Sequence, residues 1–250
     1  MQPRSSLSEM RLNQYLARAG IGSRRAVEVP IRDGRVRING IPADLGSQVN
    51  PDEDQVTLDG KAVTLPEAFT YIVLNKPKGY TVTRTDPKDL SVVYELIPQP
   101  WKKLAYVGRL DKESEGVLIF TDDGLLAHKL LRPEYLVEKE YIASTRKPAP
   151  PDTVKRFTGG ITLDEGFVAK AVRTEVKPSA SGGSTITVVL TEGKKREVRQ
   201  MCRVLGIHVD RLVRTRFGPI LLGDLKSGDS RKLTESEIQS LQKSILAAEK

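Results

Sequence analysis

The chain has a single cysteine, Cys202, in 250 residues. No disulfide can close within it and no cysteine-rich metal site can form, which fits a reducing cytoplasm. Histidine is almost as scarce. His128 and His208 stand far apart in the chain, so neither a zinc site nor a Ser–His pair is supported. No apolar run approaches the ~18 residues of a membrane span, and the N-terminus has no apolar signal-peptide core. A cytoplasmic protein with no membrane partner is expected. Internal repeats and long low-complexity segments are missing as well.

What the chain does have is positive charge. Lys and Arg number 40 against 32 Asp and Glu, a formal charge of +8, with a pI near 9.5. Such a balance favours polyanionic partners, because basic side chains displace the counterions condensed on phosphates. A merely soluble basic protein would show the same sum. The length allows one or two domains and a sizeable core.

Charge is unevenly placed. The first forty residues hold Arg4, Arg11, Arg18, Arg24, Arg25, Arg32, Arg35 and Arg37 against Glu9, Glu28 and Asp33. In SLSEMRLNQYLARAG, Ser8 is positioned to cap a helix, Glu9 suits its positive end, and Leu12, Tyr15, Leu16 and Ala19 share a face before a stop at Gly20. A second helix start follows at Ser23. Val36 and Ile38 then alternate with arginines into Asn39-Gly40, and QVTLDGKAV (55–63) repeats the strand, turn, strand pattern around Asp59-Gly60. The result is a small helix–helix–β unit with one basic half. Clustering of this kind suits a phosphate-facing patch better than a solvated face.

Residues 64–68 (TLPEA) read as a linker, placing domains at 1–66 and 67–250. Beyond it, strand-like runs recur at FTYIVLN (69–75), LAYVG (104–108), VLIFT (117–121), EYIAS (140–144) and STITVVL (184–190). LLAHKLL (125–131) and REVRQMCRVLG (196–206) have helical spacing, SASGGS (179–184) is a flexible turn, and Thr234 with Glu237 makes a capping box for a last helix. Strands outnumber helices and lie close together, so the expected class is α+β with a mainly antiparallel mixed sheet flanked by helices.

Chemistry-bearing residues concentrate in two stretches. REVRQMCRVLG sets Val198, Met201, Cys202 and Leu205 on a buried stripe and Arg196, Arg199 and Arg203 on a neighbouring one. Lys194 and Lys195 precede it; Arg211, Arg214 and Arg216 follow. Such a row could hold phosphates. One arginine could also pair with a carboxylate. Cys202 and His208 read as structural. The second stretch is YVGRLDKESEG (106–116), where Asp111 stands at a strand end or in a loop, a place where reactive groups are displayed. The Arg109-x-Asp111 triplet alone fits a salt bridge best. If Asp111 reacts, a neighbouring cation must keep it ionised, and Arg199 is available. Glu113 and Glu115 read as solvated loop charges and Asp122-Asp123-Gly124 as a turn.

Taken in order, these segments resemble known families. RLNQYLARAGIGSRR…IRDGRVRING is similar to the S-four-type RNA-binding domain, in which the second helix and the following hairpin present basic residues to structured RNA. Pro30 departs from that pattern. A proline inside a helix costs ~3 kcal/mol or more and disfavours helix at the residue before it, so the second helix is expected to kink or stop near Val29. KPKGY, GRLDKESEGVLIFTDDG, EKEYIA and GKKREVRQMCRVLG then resemble the ribosomal RNA pseudouridine synthases of the RsuA and RluB type, closest to the large-subunit RluB-like branch.

The resemblance implies isomerisation of a uridine in ribosomal RNA to pseudouridine without metal or organic cofactor. Asp111 would be the essential aspartate, acting as nucleophile on the anomeric carbon or as base on a ribose proton. Arg109 would hold the flipped nucleotide, Tyr141 would stack on the uracil, Arg199 would pair with the aspartate, and Lys76 would be a loop lysine near the site. With Lys76, the residues Arg11, Arg24, Arg25, Arg32, Arg35, Arg37, Lys194, Lys195, Arg196 and Arg203 would meet RNA. The implied partner is ribosomal RNA or a ribosomal-subunit precursor, and a monomer is expected. Flipping a base costs a few kcal/mol, of which an aromatic face returns ~1–3 kcal/mol. A small-subunit target is the nearest alternative. A non-catalytic RNA-binding or assembly factor would be expected to lack Asp111, Tyr141 or Arg199. A carboxylate-pair glycosidase, using Asp111 with Glu113 or Asp122, would leave the N-terminal unit unexplained.

Overall fold

The computed structural model describes residues 9–66, 68–85, 91–163, 166–180 and 182–246. Two units separate along the chain, Met1–Phe69 and Thr70–Lys250.

In the first unit, both dipeptide turn signals make hairpins. Asn39-Gly40 joins strand Val36–Ile38 to Ile41–Pro42, and Asp59-Gly60 joins Val56–Leu58 to Lys61–Ala62. Backbone φ is positive at all four turn residues, at 50°, 80°, 49° and 75°. This geometry matches the twist of the flanking strands and suits Asn, Asp and Gly. The hairpins pair through Val36–Ile38 and Val56–Leu58 into a four-stranded sheet. Leu12, Tyr15 and Leu16 of helix Leu12–Arg18 bury against it with Ile31, Val36, Val49 and Val56.

Two expectations for this unit change. Met10–Arg11 pairs with Gln48–Val49 as a short antiparallel bridge, so the first helix begins at Leu12, with no side-chain cap from Arg11. Glu9 precedes that bridge, and Ser8 lies outside the described residues. Nor does the second helix break at Val29. Residues 24–27 form a turn, and the helix runs from Glu28 to Arg32, with Pro30 in its first turn. N–H groups there have no intrahelical acceptor, so proline loses nothing by lacking one. The proline has delayed the helix start instead of ending the helix.

The second unit is built on a mixed sheet. Its order is Arg173–Pro178, Ser184–Leu190, Lys139–Thr145, Val209–Phe217, Glu115–Thr121, Tyr71–Lys76, Ser230–Lys232. Every neighbouring pair in that order is antiparallel except Val209–Phe217 with Glu115–Thr121, which run parallel and share only the pairs Val213–Glu115 and Arg214–Gly116. Two cores lie on the two sides of this short junction. One packs Ile186, Val188, Leu190 and Leu212 against Val198, Met201 and Cys202 of helix Glu197–Val204. The other packs Ile72, Leu74, Leu118 and Phe120 against Val93, Tyr94 and Leu104. Half-buried Tyr141 touches both. The last helix, Glu235–Leu246, carries the anticipated capping box: Glu237 N donates to Thr234 Oγ1 (3.2 Å) and Thr234 N to Glu237 Oε2 (2.8 Å). Arg231 bonds the same carboxylate and draws its pKa down to about 2.

Candidate active site

The cleft opens where the sheet is joined least. A parallel contact this close requires Gly116. Its φ is +104°, and a Cβ there would stand 2.2 Å from the Arg214 carbonyl oxygen. The segment before it, residues 108–114, therefore turns away from the sheet as a loop after strand Ala105–Val107. Asp111 sits in that loop, half-buried. With Arg109, Tyr141, Lys194, Lys195 and Arg196 it lines an open cleft of about 900 Å3.

The loop is held from beneath by a lysine. Lys76 is 0 % exposed, and its ammonium donates to the carbonyl oxygens of Pro77 (2.9 Å), Lys112 (3.3 Å) and Ser114 (2.7 Å). Burial pulls its pKa down to about 8, against the raising effect of Glu115 and Asp111. Lys76 ends strand Tyr71–Lys76 and cannot contact RNA, contrary to its expected place in an RNA-facing loop. Its backbone pairing with Gly116 directs the side chain under the Asp111 loop.

Arg199 works in a similar way. It donates to Val209 O (3.1 Å) and, through Nη2, to Glu113 O (2.9 Å). It feels the charge of Asp111, yet among the described residues nothing hydrogen-bonds or ion-pairs the Asp111 carboxylate. The expected Arg199–Asp111 ion pair is thus absent here, because the guanidinium is engaged by loop and strand carbonyls. The arginine fixes the loop, and the carboxylate projects free of it.

The basic rim comes from the start of helix Glu197–Val204. Lys194 N donates to Glu197 Oε2 (2.8 Å) and Glu197 N to Lys194 O (3.2 Å), closing a turn that forces Arg196 into the left-handed region at φ 54°. Arg196 therefore precedes the helix and does not belong to a stripe with Arg199 and Arg203. Lys194, Lys195, Arg196 and Arg203 are all exposed. In the first unit Arg11, Arg24, Arg25, Arg32, Arg35 and Arg37 are exposed too. Arg35 pairs with Asp59 (Nε to Oδ1, 2.8 Å), Arg32 with Glu28 (3.3 Å), and Arg37 bonds Gly40 O (3.0 Å).

Three buried ionisable groups line the cleft, and of these the sequence pointed only to Arg214, in a basic row that could hold phosphates. Lys139 donates to Thr191 O (2.8 Å), and burial, aided by Arg214, lowers its pKa to about 8. Burial pushes the Glu197 carboxyl up to about 7. Arg214 is 3 % exposed and donates through Nε to Val117 O (2.8 Å). Alternation along Val209–Phe217 placed Arg214 on the face of Leu212, a signal available in the sequence. Two other readings also change. Glu115 is not a loop charge but opens a strand, and its carboxylate takes two bonds from Arg211, at 2.9 Å each. Asp123 is more than a turn residue: it caps helix Gly124–Leu131 through Leu126 N (3.0 Å) and accepts from Tyr71 Oη (2.7 Å).

A loop carboxylate free in a basic cleft beside an aromatic ring suits chemistry on a base within a polyanion. Comparison with known proteins agrees. The model of the RNA pseudouridylate synthase family matches residues 70–203, and that of the S4 domain matches residues 10–56. An uncharacterised RNA pseudouridine synthase of Mycobacterium leprae is 38 % identical over 240 residues, covering 94 % of this chain and 93 % of that protein. A Pseudomonas aeruginosa protein named ribosomal large subunit pseudouridine synthase B is 36 % identical over 242 residues, 94 % of this chain and 62 % of its own length. A crystal structure of a pseudouridylate synthase superposes with a TM-score of 0.65 at 28 % identity, over 93 % of this chain and 99 % of that one. The chain belongs to the RNA pseudouridine synthase family, with an S4 RNA-binding domain ahead of its catalytic unit.

Proposed function

We propose that this pseudouridine synthase modifies one uridine of large-subunit ribosomal RNA, with Asp111 as the reacting carboxylate. The observation that carries the assignment of Asp111 is its freedom. It lines the cleft with Tyr141, its loop is fixed by Lys76 and Arg199, and no described residue occupies its oxygens. Asp111 either attacks C1′ of the ribose or removes the C2′ proton. Both routes break the C1′–N1 bond and leave the electron pair on uracil.

Reaching C1′ requires the nucleotide to leave its stack. Arg109, exposed on the cleft wall, holds it out, and Tyr141 stacks on the base. Lys194, Lys195 and Arg196 take the flanking phosphates, and the arginines of the first unit add affinity that does not depend on sequence. The ring of Tyr141 is set by both cores, so its position costs little ordering on binding. The large-subunit target rests on the likeness to the Pseudomonas aeruginosa protein. We place the enzyme in the cytoplasm, acting as a monomer on the RNA or a subunit precursor.

The test is to map pseudouridines in ribosomal RNA from cells with the gene, without it, and with it restored. One large-subunit site should vanish and return. A site lost from small-subunit RNA would reassign the target, and unchanged maps would remove ribosomal RNA as the substrate.

A further inference from the structure

Three buried cations, Lys76, Lys139 and Arg214, and the half-buried Arg199 surround the reaction site. Lys76 and Arg199 hold the Asp111 loop, and Lys139 is bonded to Thr191 O. Arg214 is the fourth. Its Nε is engaged by Val117 O, but its Nη2 is buried without a partner. Arg199 also keeps an unpaired Nε, but it does not line the cleft, whereas Arg214 does. A desolvated guanidinium with an unused N–H is costly unless an electron-rich oxygen reaches it.

Its surroundings identify that oxygen. Arg214 stands directly opposite Tyr141 in the antiparallel ladder, so both side chains leave the sheet on one face. The Phe217 ring, 5.2 Å from the guanidinium carbon, backs it. Two carboxylates line the same cleft, Asp111 and Glu197, and among the described residues neither forms an ion pair with it. Arg214 and Tyr141 line the same cleft, so the guanidinium borders the space that a base lying against Tyr141 would fill.

We propose that Arg214 is a catalytic residue: its free guanidinium N–H binds a carbonyl oxygen of the flipped uracil and stabilises the negative charge the base acquires when the glycosidic bond breaks. The inference rests on the roles given above to Asp111 and Tyr141. As C1′–N1 cleaves, the bonding pair passes to uracil and spreads over N1 and the ring carbonyl oxygens. Asp111 takes the other half of the step, bonding to C1′ or accepting the C2′ proton. When C5 later bonds C1′, Asp111 is released or returns its proton to C2′, and the C5 proton passes to solvent as N1 takes one up. Arg214 transfers no proton, because a guanidinium stays charged throughout. A fixed, buried cation beside the reacting base is the arrangement that stabilises charge as it develops.

The experiment measures single-turnover glycosidic cleavage by wild type, Arg214→Met and Arg214→Lys. The probe is the ribosomal RNA transcript on which wild type forms pseudouridine, made with uridine or with 5-fluorouridine. Fluorine stabilises the departing uracil anion, so less help is needed from the enzyme. Arg214→Met should slow the uridine reaction by roughly 100-fold with RNA affinity unchanged. Its deficit should shrink at least tenfold on the fluorinated RNA, and Arg214→Lys, which keeps the charge, should recover part of the rate. Equal deficits on both RNAs, or a loss of affinity that explains the rate, would overturn the proposal. The wild-type rate on each transcript tests the ribosomal reading separately. If wild type modifies no ribosomal transcript, the same comparison is made on total RNA from cells lacking the gene, grown with or without 5-fluorouracil.

Discussion

The first unit keeps the arginines named above at its surface, whereas the second also buries part of its positive charge. In the first, Arg11, Arg24, Arg25, Arg32, Arg35 and Arg37 all face solvent, and those with partners meet surface acids or a turn carbonyl. In the second, Lys76, Lys139 and Arg214 are buried, and their bonds go to backbone carbonyls. Exposed charges act on phosphates through a screened field, and each contributes a little affinity. Buried ones cost desolvation and persist only where they fix backbone or await a ligand. The net charge of +8 includes both populations; in the proposed reaction the exposed one gathers RNA and the buried one shapes the place where the base reacts.

Substitutions can break that division. After Asp111, the proposed reacting carboxylate, the largest effect should come from Lys76→Met. It strips three carbonyls of their donor and should destabilise the protein by roughly 3 kcal/mol, with activity falling because the Asp111 loop shifts. Thermal melts and rates on one preparation check both. Its pH dependence has a definite sign. Folding lowers the Lys76 pKa from 10.5 to about 8, so between those values the unfolded chain binds more protons and the wild type gains stability as pH rises. The variant lacks that gain, so its deficit should widen from pH 8 toward 10.5.

A smaller and different effect is expected from Arg24→Ala with Arg25→Ala. RNA affinity should fall several-fold and the salt dependence should lose about one unit of slope for each phosphate contact removed. The cleavage rate at saturation should not move; a lower saturated rate would erase the distinction between the units. Smallest of all, Arg35→Ala breaks an exposed pair with Asp59 and should leave stability almost unchanged, measured by denaturant unfolding.

Local signals in the sequence carried much of the fold. Asn39-Gly40 and Asp59-Gly60 determined their hairpins because the turn geometry is a property of those residues. The Thr234–Glu237 box worked for the same reason. Asp111 and Tyr141 were legible through the order of motifs, and the structure brings them to one cleft. Buried cations were not legible, because their burial depends on pairings between distant segments. Tyr141 meets Arg214, and Gly116 meets both Lys76 and Arg214. Arg199 was found, but its partner was misjudged: opposite charges suggested Asp111, whereas the guanidinium bonds carbonyls that no side-chain pattern reveals. Pro30 misled for a related reason, since a proline ends a helix or begins one according to where the first turn falls.

The most direct test of the account is Asp111→Asn in the purified chain, assayed on the target RNA for binding and for pseudouridine together. The change keeps the side chain's size and removes its charge from a loop held by Lys76 and Arg199 rather than by the carboxylate. RNA affinity and melting temperature should therefore match the wild type, while product formation falls by at least about 1,000-fold. Appreciable pseudouridine from the asparagine variant would contradict the assignment of Asp111 as the reacting group.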